Sequence, residues 1–293
     1  MTLENLTIIG ERINPGFRST KELFDNEDIG AIQELAVKQR DAGAAYLNVN
    51  IGLRAKNDPK FMSEIIRAIQ DVVDIPLSFD FPNVEVQVNC LETYDQERAG
   101  GKKPIINSIS EPRRDMMELL DVRPCRVVLM SSERLEDGAP KPNKTGAEMA
   151  ETAKRLAGTL LDGDHGMTTE DLFIDVAIGT LSSDMEGATR AAIETTRLVA
   201  DDPDLAGIHM WGGLSNLSAQ MPPAKFEGQS LKLLLENAFL TLSVPNGFDT
   251  VLGTPWRDYF VLPDDHQILS DFQEIIALDG SDALRRLRKV YTA

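Results

Sequence analysis

The chain is poor in the residues that carry the most recognisable chemistry. Its 293 residues include two cysteines, Cys90 and Cys125, and three histidines, His165, His209 and His266. The cysteines have no CxxC spacing and no histidine beside them, which excludes a disulfide framework or a cysteine-based metal site and leaves them as reduced structural thiols. The histidines form no HxH or HxxxH pair, so the zinc sites of hydrolase barrels are not expected. No apolar run is long enough to span a bilayer, and Met1 to Gly16 lacks the basic start and apolar core of a secretory signal. A cytoplasmic protein is expected. Positive charge is also scarce: 30 Lys and Arg stand against 47 Asp and Glu, a formal charge of -17. Such an excess of carboxylates repels phosphates, so nucleic acid and anionic membrane are not expected partners.

What is present is a repeating alternation of short apolar or β-branched runs with longer stretches of helical spacing. The runs are Thr7 to Glu11, Tyr46 to Asn50, Pro76 to Asp80, Pro104 to Asn107, Arg126 to Met130, Leu172 to Asp175, Gly207 to Trp211 and Gly247 to Leu252. In the seventh, Gly212-Gly213 read as a break after the strand. Ser131 to Asn143, rich in charge, Pro and Gly, reads as a loop or lid. Eight strands alternating with helices, with no linker between blocks, predict one α/β domain over residues 1–293, a single (β/α)8 TIM barrel. A doubly wound open sheet is the alternative, but the first strand-to-helix turn has no GxGxxG.

In such a barrel the carboxyl ends of the strands converge on one mouth. Here they read Glu11 and Asn14, Asn48 and Asn50, Asp80, Asn107, Ser131, Asp175, Asn216 with Ser215 beside it, and Asp249 within the last strand. Taken singly, each also suits a helix cap or a turn. As a set they give carboxylates and carboxamides with no lysine, which excludes a Schiff-base aldolase. Phosphate cradling would want a basic mouth, and none is expected. A carboxylate accepts two N–H groups from an amino-amide edge, and a carboxamide offers both a donor and an acceptor. The set suits a planar heterocycle such as a pterin.

Six segments in order, IGERIN from Ile9, YLNVNIG from Tyr46, SFD ending at Asp80, INS around Asn107, FID ending at Asp175 and GLSN ending at Asn216, carry a resemblance across nearly the whole chain. It resembles the pterin-binding methyltransferases that pass methyl between methyltetrahydrofolate and a corrinoid protein. The resemblance implies that Asp80, Asn107 and Asp175 hold the pterin, Asp175 taking its amino-amide edge, and that Asn216 lies near N5 and the methyl group. Asn216 and Asp80 are then the catalytic candidates, with Asn48, Glu11 and Ser215 as further substrate contacts. A tertiary amine leaves poorly, so N5 needs a hydrogen bond or a proton as its bond to methyl breaks. The resemblance further implies tetrahydrofolate or methyltetrahydrofolate as substrate, a corrinoid (cobalamin) on a partner protein, no metal held by this chain, and a homodimer. The chain departs from relatives at Asn48, where Asp is frequent, and at Ala219, where some carry Gln. Two rival readings remain. Dihydropteroate synthase would want a basic residue after the seventh strand, where none occurs before Lys225. A non-catalytic folate-binding component of a demethylase complex would not need Asn216.

Overall fold

The computed structural model describes residue 3 and residues 5–292. Eight parallel strands close into a barrel in which each pairs with its neighbours in sequence: β1 (Thr7–Ile13), β2 (Tyr46–Val49), β3 (Leu77–Asp80), β4 (Ile105–Ile109), β5 (Arg126–Met130), β6 (Leu172–Asp175), β7 (His209–Gly213) and β8 (Thr250–Gly253). β8 returns to β1 through Thr7↔Thr250 and Gly10↔Gly253, which completes the ring. The expected (β/α)8 TIM barrel is the architecture found.

Strand periodicity of two sorts the side chains. Ile9, Tyr46, Ile105, Val128, Phe173 and Trp211 point inward and form a closed apolar cluster with Leu252 against it. The alternate residues point outward into the larger core beneath the helices, among them Leu47, Phe79, Ile106, Val127, Leu129 and Ile174. Two residues further along from this cluster the inward positions are Glu11, Asn48, Asn107, Asp175 and Thr254, with Met130 on β5 and Gly213 on β7, and this largely polar layer is the mouth.

Local chemistry fixes the helices. Asp28 and Asp58 accept from the backbone of Ala31 and Phe61 and so start helices Ile29–Asp41 and Pro59–Gln70, the second with Pro at its first position. Thr145 and Glu148 form a reciprocal capping box at Gly146–Leu161. Phe61, Ile65, Ile66 and Ile69 of the second helix are buried, the face their spacing predicts. Cys90 and Cys125 are buried and unpaired. Among the described residues no helix is long and apolar enough to cross a membrane.

The structure differs from the sequence expectation in several places. The segment Ser131 to Asn143 is ordered as a β-hairpin, Glu133–Glu136 against Ala139–Pro142, turning at Asp137-Gly138 where both φ angles are positive (52° and 79°). That is a two-residue turn suited to the Asp-Gly pair. A short helix at Arg18–Asp25 precedes the first long one, and the chain closes with two helices, Gln267–Ile276 and Gly280–Thr292. Gly212 and Gly213 are not a break after the seventh strand; they belong to it as its last two residues. A Cβ at Gly212 would stand 2.5 Å from Ile178 and 3.3 Å from Phe248, so glycine admits the packing there. Asp249 precedes β8 and lies at the opposite end of the barrel. It bonds His209 Nδ1 at 2.6 Å and takes the Met210 backbone N–H at 3.1 Å.

Candidate functional site

Asp80, Asn107 and Asp175 converge on the mouth because their strands are in register. Asp80 pairs with Asn107 across β3 and β4, and Asp175 pairs with Met130 on one side and Trp211 on the other. All three are partly buried. Burial pushes Asp175 up to about 6, the Ala177 amide pulls against this, and the Asp80 charge adds to the rise. One of its oxygens accepts from Ala177 N at 2.8 Å. Ala177 holds a φ of 57°, left-handed for a residue with a Cβ, a local strain of the kind concentrated at functional sites. The second carboxylate oxygen makes no hydrogen bond within the described residues.

Burial also raises Asp80, against the opposing effects of Asn50, Asn48 and the Arg113 charge. Asn50 Nδ2 donates to the Asp80 carbonyl at 3.0 Å and more weakly to its carboxylate at 3.4 Å, while its Oδ1 accepts from Gly52 N. Asn107 is held through its carbonyl, which accepts from Gln87 Nε2 at 3.1 Å. Asn48 is 1% exposed, and neither atom of its carboxamide has a partner at hydrogen-bond geometry. It lies near enough to favour the Asp80 anion without bonding it. A buried polar pair left unmatched is costly, and such atoms are rare outside sites that receive a ligand or water.

Glu11 is used differently from its neighbours. Ser215 Oγ donates to one of its oxygens at 2.6 Å and Thr254 Oγ1 to the other at 2.7 Å. Burial raises its pKa and these two hydroxyls lower it. Glu11 and Ser215 are therefore bonded to each other, joining the ends of β1, β7 and β8. Asn216 stands on the single helical turn Leu214–Leu217 that follows β7, and it is exposed. Its Nδ2 lies 2.7 Å from where a Cβ on Gly213 would be, so the amide rests over the last residue of β7.

Other strand-end residues are spent on the fold. Asn14 accepts from Gly16 N at 2.8 Å in a local turn. Ser131 is buried and donates to the Asp175 carbonyl at 2.5 Å.

The mouth is less purely acidic than the sequence implies. Arg113, in the segment after β4, reaches Ser108, Ser110 and the Met130 sulfur at 3.1–3.3 Å. Arg257, after β8, is ion-paired with the fully buried Glu236. Arg12 lies 3.8 Å over the Phe17 ring and 5.8 Å from that of Trp256. These guanidinium groups come from loops or from the outward side of a strand, where no periodicity marks them. Only the EPRRD run at Glu111 to Asp115 hints at Arg113.

The pterin-binding enzyme model matches residues 13–252 of this chain. The chain belongs to the pterin-binding enzyme family. The methylcorrinoid:tetrahydrofolate methyltransferase of Eubacterium limosum is 27% identical over 262 residues, covering 85% of each protein. Among solved structures, the dihydropteroate synthase of Thermus thermophilus aligns with TM-score 0.56 at 15% identity, over 94% of this chain and 93% of that one. The dihydropteroate synthase of Stenotrophomonas maltophilia gives 0.53 at 16% identity, over 98% and 94%. At such identities the solved structures establish a shared barrel. Asp80 and Asn107 are register partners at the mouth, and Asp175 stands two strands further round it, on β6.

Proposed function

We propose that this chain moves a methyl group between N5 of a tetrahydrofolate and the cobalt of a corrinoid carried by a partner protein. The observation that carries the reading is the convergence of Asp80, Asn107 and Asp175 at one mouth, with one Asp175 oxygen still open and the Asn48 carboxamide unmatched. Support for the reaction comes from the relative in Eubacterium limosum, whose likeness runs through the segments that supply these residues.

The donor set fits a pterin. The open oxygen of Asp175 suits the amino group of the pterin edge, and its bond from Ala177 fixes the carboxylate plane. Asn107 and Asp80, side by side, serve the ring nitrogens, and Asn48 offers a donor and an acceptor that the fold does not use. Asn216 belongs near N5. When methyl leaves N5, the electron pair of the C–N bond returns to nitrogen, which takes up a proton. In the reverse direction the N5 lone pair forms the new bond and the proton departs. A carboxamide serves both states, donating to the lone pair or accepting from N–H. The corrinoid supplies the cobalt that accepts or delivers methyl, so this chain needs only to bind, orient and manage the N5 proton.

A dihydropteroate-type condensation is less well supported. It releases pyrophosphate and wants a cation to take it, whereas Arg257 is committed to Glu236, Arg113 to Ser108 and Ser110, and Arg12, on the outward side of β1, stacks on the Phe17 ring. Exchange of labelled methyl between methyltetrahydrofolate and a corrinoid protein tests the proposal. Label moving in the presence of this chain supports it. Formation of dihydropteroate from a pterin pyrophosphate and p-aminobenzoate, with no methyl exchange, would favour the condensation instead.

A further inference from the structure

The turn Leu214–Leu217 that carries Asn216 is four residues long, too short to keep its shape by its own hydrogen bonds. Two carboxylates hold it. One residue before Asn216, Ser215 donates to Glu11 at 2.6 Å, and the other Glu11 oxygen takes Thr254 at 2.7 Å. Two residues after it, the buried Ser218 donates to Glu236 at 2.6 Å, and the other Glu236 oxygen is paired with Arg257. Glu236 is wholly inaccessible and stands on helix Leu231–Ser243, while Glu11 stands on β1. The turn is thus tied to elements far apart in the sequence, from both of its flanks. These hydroxyls, and not the exposed Asn216 carboxamide, carry the turn's side-chain bonds to the barrel.

We propose that Glu11 and Glu236 are positioning residues which, through Ser215 and Ser218, lock this turn and aim the Asn216 carboxamide over Gly213 into the mouth. The inference rests on the methyl-transfer reading and adds to it the device that holds the N5-facing group. Charge-assisted bonds are shorter and stronger than neutral ones, and each carboxylate is fixed by a second partner, so the turn is held rigidly. Rigidity matters because a misplacement of about 1 Å of a group that acts in the transition state costs on the order of 100-fold in rate. Gly213 completes the device, since a methyl group there would push Asn216 Nδ2 aside.

The test is a double-mutant cycle in single-turnover methyl transfer with the full chain. Ser218→Ala and Gly213→Ala should each slow transfer by about tenfold or more, with methyltetrahydrofolate affinity nearly unchanged, and should have no further effect when Asn216 is already Ala. Glu236→Gln, which keeps an acceptor for Ser218, should retain more activity than Ser218→Ala. Amide hydrogen exchange should rise at residues 214–219 in Ser218→Ala. Losses that add to that of Asn216→Ala, or unchanged exchange in the turn, would overturn the inference alone. Wild-type protein that binds methyltetrahydrofolate but moves no methyl would overturn the reading beneath it.

Discussion

Asp175 and Asp80, on β6 and β3, share one mouth, and the charge of Asp80 adds to the burial that holds Asp175 near pH 6. In the free protein this has a defined sign. The folded chain keeps the Asp175 proton up to about pH 6, whereas an unfolded Asp gives it up near 3.8. The contribution of this group to stability is therefore fully present below 3.8 and is lost as pH rises to about 6. A pterin edge that donates two N–H groups needs the carboxylate form. Its affinity should be constant above about pH 6 and fall about tenfold for each unit below it. Titration calorimetry at several pH values checks this, and Asp175→Asn should weaken binding and remove the pH dependence. Affinity that is flat from pH 5 to 7 in the wild type would take Asp175 out of the pterin contacts.

Asn216→Ala should slow methyl transfer by about 100-fold while leaving methyltetrahydrofolate affinity close to wild type, because a group that assists a proton at N5 acts mainly in the transition state. Comparison of single-turnover rates with equilibrium binding separates the two effects. Equal losses in rate and affinity would make Asn216 a binding residue only.

The rim of the mouth carries apolar side chains that the fold does not bury. Leu53 (86% exposed), Leu135, Met185 and Trp256 all stand on segments that follow barrel strands, and Trp256 lies under the Lys38 ammonium at 4.2 Å. In the proposed reaction a corrinoid carried by a partner protein approaches this end. Trp256→Ala and Leu53→Ser should raise KM for a corrinoid protein several-fold, with aromatic loss costing about 1–2 kcal/mol, and should leave transfer to free cobalamin unchanged. Equal effects on both acceptors would remove the rim from the docking surface.

Arg257→Ala should be costly to the fold. It leaves the Glu236 carboxylate fully buried with Ser218 as its remaining bonded partner, and breaking a buried pair in this way costs about 3–5 kcal/mol. Urea denaturation measures it. A loss under about 1 kcal/mol would mean that Glu236 reaches solvent or finds another partner once Arg257 is gone.

The barrel was legible because its eight strands are short apolar runs set off by capped helices, as the Thr145–Glu148 box illustrates. Asp80, Asn107 and Asp175 were legible because each ends such a run at the same inward parity. The errors came where sequence carries no sense of direction along the barrel. His209 and Asp249 are as polar as the mouth residues, but they lie one layer below Trp211 and close the opposite end. Gly212-Gly213 look like a break, yet they serve the strand by admitting Ile178 and Asn216. The hairpin at Glu133–Pro142 has a readable Asp-Gly turn, masked by the charge on its first arm and the prolines on its second. The clamp through Ser215 and Ser218 was beyond reach, since its carboxylates lie 204 and 18 residues away in sequence.

The most direct measurement is the cobalt absorption spectrum of a reduced corrinoid protein mixed with methyltetrahydrofolate and this chain, alongside methylated corrinoid mixed with tetrahydrofolate. The account predicts interconversion of the reduced and methylated cobalt spectra at a rate proportional to the concentration of this chain, and its collapse with Asn216→Ala. Tight folate binding with an unchanged cobalt spectrum in both mixtures would contradict it.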